Sequence, residues 1–203
     1  SVYQRSGTDK KILAEVPVNE DHTYSITVPF DKPGVATVDC GRWQDVNVWL
    51  EDENMDIDFR GKDTAKIIIK NPPYVYIRAG KKNEVMNLVN FVGYRGYQSM
   101  IAISQNVWRA KIEDEKTKNT LSSSLYDANG DNSRAWMRYL AEHYADQTSV
   151  LVPISRLNEE KDANLINTTL NHLEATSETA KLLVADYRKT KAEEKEMRER
   201  MKD

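Results

Sequence analysis

The chain has 203 residues, 39 % of them apolar and 30 % charged, with a formal net charge of −3. That length holds one large domain or two small ones around a real core. The near-balanced, interspersed charge argues against a nucleic-acid partner, and no apolar run approaches the roughly 20 residues that span a bilayer.

Residues 11–80 alternate with period two. A strand is expected around Ile12–Val18. In TYSITVPF, Tyr24, Ile26, Val28 and Phe30 share one face, with Ser25 and Thr27 on the other, the signature of a half-buried strand. Lys32-Pro33-Gly34 reads as a turn into a second strand, Val35–Asp39. Val46–Leu50 is the next, and MDIDF points Met55, Ile57 and Phe59 inward. AKIIIK and, beyond Asn71-Pro72-Pro73, Tyr74–Ala79 complete the series. Short strands joined by tight turns predict an antiparallel sandwich or open barrel.

From Lys81 the period becomes helical. Val85, Leu88, Val89 and Val92 form one stripe, and Gly93 and Gly96 are expected to interrupt or kink it. Met100, Ile101, Ile103, Val107 and Trp108 resume it. DANGDNS, after Ser122–Ser124, reads as a loop, with Asp131 or Ser133 capping the next helix, which carries Trp136, Leu140 and Tyr144. A short helix with Ser149 as cap tolerates Pro153 only in its first turn. A further helix bears Leu165, Ile166, Thr169, Leu170 and Leu173. The last opens at Thr176 or Ser177, and its stripe thins from Leu183 and Tyr187 through Thr190 and Glu194 to Met197 and Met201. Nine of the twelve residues Ala192–Asp203 are charged. Glu194–Arg198 and Glu196–Arg200 are i, i+4 pairs in the favourable order, each worth about 0.2–0.5 kcal/mol. Strands first and helices second make an α+β chain: an antiparallel β domain over residues 1–80 and a helical domain over 81–203.

Few residues assemble into chemistry. The single cysteine, Cys40, excludes an intrachain disulfide, a CxxC pair and a cysteine zinc cluster. Asp127, Asn129 and Asp131 start like a calcium loop, but Asn132 stands where glycine is needed and Arg138 where a bidentate Glu is needed. His22, His143 and His172 have no metal-ligand spacing, so no metal and no cofactor are expected. No nucleophile elbow or glycine-rich phosphate loop occurs, and no catalytic residue is assigned. Glu51-Asp52-Glu53 with Asp56 and Asp58 is an acidic patch, readable as a soluble strand edge or as paired carboxylates for sugar hydrolysis. Tyr74, Tyr76, Tyr94 and Tyr97, with Trp43 and Trp49 upstream, cluster near the strand-to-helix junction. Such rings are core pieces or a face that stacks on a sugar or grips a peptide; on the second reading Trp49, Tyr74, Tyr76, Tyr94 and Tyr97 form the binding site.

The order of parts resembles the N-terminal domain that precedes the thioredoxin module in TlpA-like thiol-disulfide oxidoreductases of Gram-negative gut bacteria. The resemblance rests on DHTYSITVPFDKPGVATVD, VWLEDENMDIDF, NPPYVYIRAGKKNEVMNLVNF and AEHYADQTSVLVPISRL, with ADYRKTKAEEKEMRERM as the helix before the redox domain. That family often has Gly where this chain has His22. The resemblance implies a non-catalytic region, located in the periplasm or cell envelope, that positions a thioredoxin-like module C-terminal to Asp203 or mediates homodimer and partner contacts. The family's catalytic cysteines match no residue here, and Cys40 is not their counterpart. The chain begins at Ser1 rather than Met, which leaves room for a removed export signal or a lipid anchor as its membrane link. The competing expectation is a glycan- or peptide-binding module using the β-domain aromatics.

Overall fold

A computed structural model describes residues 1–41, 44–59 and 74–201. Antiparallel strands come first and helices follow, an α+β fold. The chain divides into two compact units, Ser1–Asn90 and Phe91–Asp203.

In the first unit a four-stranded antiparallel sheet runs in the order β2 (Asp9–Ala14), β1 (Val2–Ser6), β3 (Gly34–Cys40), β4 (Gln44–Leu50). The β1–β2 hairpin closes through Gly7 at φ +59, a conformation that costs glycine nothing. Pairing of Ala36 with Val48 and Val38 with Val46, and of Val2 with Val38, puts five apolar side chains with Leu50 on one face. A second, two-stranded ladder joins β5 (Asp56–Ile57) to β6 (Ile77–Arg78).

Several expectations shift. β1 is an unexpected strand, because VYQRS offers too few apolar residues to show a period. The strand expected around Ile12–Val18 is Asp9–Ala14, zipped to β1 by its hairpin. Tyr24–Val28 keeps its alternation as half-buried Tyr24, Ile26 and Val28 against exposed Ser25 and Thr27, but Phe30, expected on the same face, is exposed, and the segment joins no ladder among the described residues. Periodicity fixes which side chains turn inward; a strand also needs a backbone partner. Tyr24 instead donates its hydroxyl to the Ile57 carbonyl at 2.8 Å. The strand expected in AKIIIK lies outside the described residues. His22 sits at φ +66 in a turn closed by Asn19 and Thr23.

Helix α1 (Lys81–Arg109) runs unbroken through Gly93 and Gly96, and α2 (Glu115–His143) runs through DANGDNS. The expected kink and loop are therefore both helix. The reason is tertiary: Asn129 Nδ2 donates to the Gly96 carbonyl at 3.2 Å, and a side chain at Gly96 would meet Ser133 Oγ. Close approach of two helices outweighs glycine's propensity cost of about 1 kcal/mol. The cap of α2 is Asp114, whose carboxylate accepts the Thr117 amide at 2.8 Å, rather than Asp131 or Ser133. Ser149 does not cap either. It lies in a 3₁₀ turn, Thr148–Val150, with its hydroxyl buried and without a partner among the described residues. Helices α3 (Leu151–Ile154), α4 (Ala163–Glu174) and α5 (Glu178–Arg200) follow, α5 capped by Ser177 as expected. Met137, Leu140, Ile154, Leu170, Leu173, Ala180 and Val184 form the core of this second unit.

Candidate functional site

Among the described residues of the first unit, a dense set of polar contacts marks the junction between β4 and the opening turns of α1. Glu53, just past β4, accepts the first amides of α1: Lys82 N–H to Oε1 at 2.8 Å and Asn83 N–H to Oε2 at 3.1 Å. A carboxylate there satisfies orphan donors and complements the helix dipole. Gly80 makes room for it, since a Cβ at that position would stand 2.4 Å from Glu53 Oε1. Lys82 donates to Asp52 at 2.9 Å and lies 4.0 Å from Glu51. Burial draws the Lys82 ammonium down, but the Asp52 hydrogen bond and the charge of Glu51 outweigh it and raise the pKa. The same bond holds the Asp52 carboxyl below its ordinary value. Glu51 accepts the Trp49 indole N–H at 2.8 Å.

Behind this clasp, helix α1 presents a row of asparagines. Asn83, 0 % exposed, accepts the Trp49 amide at 2.8 Å and donates to the Trp49 carbonyl at 3.0 Å. Asn87, 6 % exposed, does the same for Ile77, at 2.9 and 2.8 Å. Asn90 donates to the Asn47 carbonyl at 2.8 Å. The ladder partner of β4 is β3 and that of β6 is β5, so the asparagine amides occupy the remaining strand edges and stand in for a missing strand. This covers backbone groups that would otherwise invite foreign pairing. The Tyr74 hydroxyl donates to the Asn87 carbonyl at 2.6 Å, and burial, with the neighbouring Tyr76, pushes its pKa up to about 12.

The five aromatic residues singled out in the sequence are divided between the two units. Trp49 is buried, Tyr74 half-buried and Tyr76 exposed in the first unit; Tyr94 is half-buried and Tyr97 exposed in the second. Trp43 lies outside the described residues. Of the acids, Glu51, Glu53 and Asp56 border a groove of about 470 Å³ with Tyr24, Ile26, Val28 and Met55, while Asp58 is ion-paired to Arg78 at 2.8 Å. Glu51, Asp52 and Glu53 are thus engaged by an indole, a lysine and a helix terminus.

Sequence reading missed the asparagine row, although its signal was present: N-x-x-x-N-x-x-N on a helix that also carries a valine stripe. It also missed a ring series on α2, where Trp136 meets Tyr139 edge-on at 5.9 Å and Tyr139 stacks on His143 at 4.1 Å. Among the described residues no group of three metal-capable side chains converges, and no helix is long and apolar enough to cross a membrane. In comparisons with known proteins, the chain matches no family model, no curated protein and no solved structure.

Proposed function

We propose that this chain is a non-catalytic region of an exported thiol-disulfide oxidoreductase of the periplasm or cell envelope, with the task of positioning a thioredoxin-like module. The observation that carries the reading is the character of α5. It buries Ala180 and Val184, then exposes nearly everything beyond Tyr187 while remaining helical to Arg200. Lys191 and Arg198 both reach Glu159, at 3.6 and 3.1 Å, and Arg188 reaches Glu174 at 2.7 Å. A helix that gives up its apolar stripe, carries the i, i+3 and i, i+4 ion pairs Lys191–Glu194, Lys189–Glu193 and Arg200–Glu196 along its exposed length, and touches the rest of its unit there through charged side chains has the properties of a spacer. The chemistry is compatible: exchange of a dithiol for a disulfide needs two thiols within reach, and this chain has only Cys40, which is half-buried. The thiol pair belongs to the module that α5 would lead to.

Two measurements test this. In an insulin-reduction assay with dithiothreitol the chain is expected to add nothing to the background rate; turnover above background would end the supporting-role reading. The reading frame past Asp203 should encode a CxxC pair within about one domain's length, and its absence would end the assignment to this class of protein.

A further inference from the structure

We propose that the outer part of α1, with the facing surface of α2, is where a second copy of this chain docks. From Phe91 to Val107 the helix carries one charged side chain, Arg95, which is engaged with Gln98 at 3.2 Å. Tyr97, Ile101, Ser104 and Trp108 follow one another at spacings of 4, 3 and 4, one continuous helical face. Arg95 lies two residues from Tyr97, about 200° around the helix, and so off that face. Beside the stripe runs a groove of about 390 Å³ between α1 and α2, floored by Gly93, Gly96 and Gly130 and walled by Tyr97, Met100 and Tyr126.

Three features select a second copy as the occupant. The stripe is uncharged, so two identical stripes meet without like-charge repulsion, whereas a charged partner would find no complement there. The patch holds both projections, Tyr97 and Met100, and an adjoining hollow over glycines, which is what an isologous two-fold contact requires of a single surface. The area is also sufficient. With about 150–250 Å² per aromatic side chain, the exposed fractions of Tyr97 (61 %), Trp108 (78 %) and Tyr126 (38 %) leave on the order of 350 Å² per chain. Doubled across a two-fold and extended by Met100, Ile101 and the groove floor, this reaches the roughly 1,000 Å² of a weak but specific pair. Two helical hairpins joined in this way make a four-helix arrangement. The dimer rests on the positioning role proposed above, giving the spacer helices a paired base.

Gly93 supplies a clean test, because a Cβ there meets nothing within 4 Å. A Cβ at Gly93 is accommodated without a clash, and a longer side chain there is expected to extend into the groove that Gly93 lines. Sedimentation velocity of the 203-residue chain from about 1 to 200 µM, the range of weak interfaces, is expected to show a concentration-dependent dimer. Gly93→Glu and, independently, Tyr97→Glu are expected to weaken it about tenfold or more, with helical circular dichroism retained. If Tyr97→Glu does not fold, Gly93→Glu decides alone. A wild-type chain that stays monomeric throughout, a mass that grows beyond two copies, or a dimer indifferent to Gly93→Glu would overturn the proposal. Failure here with insulin reduction still absent removes this surface and leaves the positioning role intact; insulin turnover with the dimer intact does the reverse.

Discussion

Helix α1 treats its two halves in opposite ways. Its first ten residues, in the first unit, bury asparagines: Asn83 and Asn87 are enclosed and fully engaged with Trp49 and Ile77. Its later turns, in the second unit, leave Tyr97 and Trp108 in water. One continuous helix thus hides polar groups at one end and displays apolar ones at the other. The lesson is that burial follows available partners rather than polarity alone. An amide that meets a strand's N–H and C=O together is satisfied when buried. An aromatic ring with no neighbour stays exposed whatever its transfer free energy.

The largest effect is expected from Asn83→Ala. It orphans the Trp49 amide and carbonyl, both buried, at about 1–3 kcal/mol each. A loss of roughly 3–4 kcal/mol is expected, which at about 2–4 °C per kcal/mol for a chain of this size lowers the melting temperature by about 10 °C. A shift under about 2 °C would show that the asparagine row is decoration.

Tyr74→Phe probes the same end more gently. Loss of the hydroxyl that donates to the Asn87 carbonyl is expected to cost about 1 kcal/mol near neutral pH. The pH dependence has a definite sign. The Tyr74 pKa in the folded chain is raised to about 12, so the folded state holds its proton where the unfolded state has released it. The associated stability is fully present below the unfolded value, about 10, and is lost as pH rises toward 12. Urea midpoints measured between pH 9 and 12 should therefore fall more steeply for the wild type than for Tyr74→Phe.

At the other end of α1, Gly93→Ala sharpens the contrast. Nothing touches that position, so the substitution should stabilise the helix by about 0.5–1 kcal/mol, seen as a raised melting temperature in dilute protein. His22→Gly is expected to gain a similar or smaller amount, because φ +66 is strained for histidine and free for glycine. The smallest effect belongs to Glu159→Gln. Its partner Arg198 is exposed and Lys191 half-buried, and loss of the two pairs should cost a few tenths of a kcal/mol and shrink at high salt. A larger loss, read by thermal melts at low ionic strength, would mean that α5 is held down more firmly than a spacer should be.

Much of the fold was legible; β1 escaped for want of apolar residues, and the other failures share one cause. The strands Val35–Asp39 and Val46–Leu50, the helix carrying Leu165–Leu173 and the Ser177 cap were readable because each depends on its own residues. Gly96 and DANGDNS were misread as breaks because Asn129 and Gly96 meet across α1 and α2, while Gly93, which nothing touches, is carried within the same helix. The candidate site was less legible. Aromatic residues marked it in sequence, yet Trp49 proved to be core, and the residues that organise the junction are Asn83, Asn87 and Glu53, whose roles are defined by partners about 10 to 34 positions away.

By itself, the sequence determined the α+β order, the handover from period two to a helical period near Lys81, the single thiol and the charged course of α5, because composition and local period act over a few residues. Tertiary structure alone decided that Tyr24–Phe30 pairs with no described strand, that two glycine-bearing segments stay helical, and that three asparagines replace a strand. Those outcomes depend on hydrogen bonds and close approaches between distant segments, and no local pattern records which distant group will arrive.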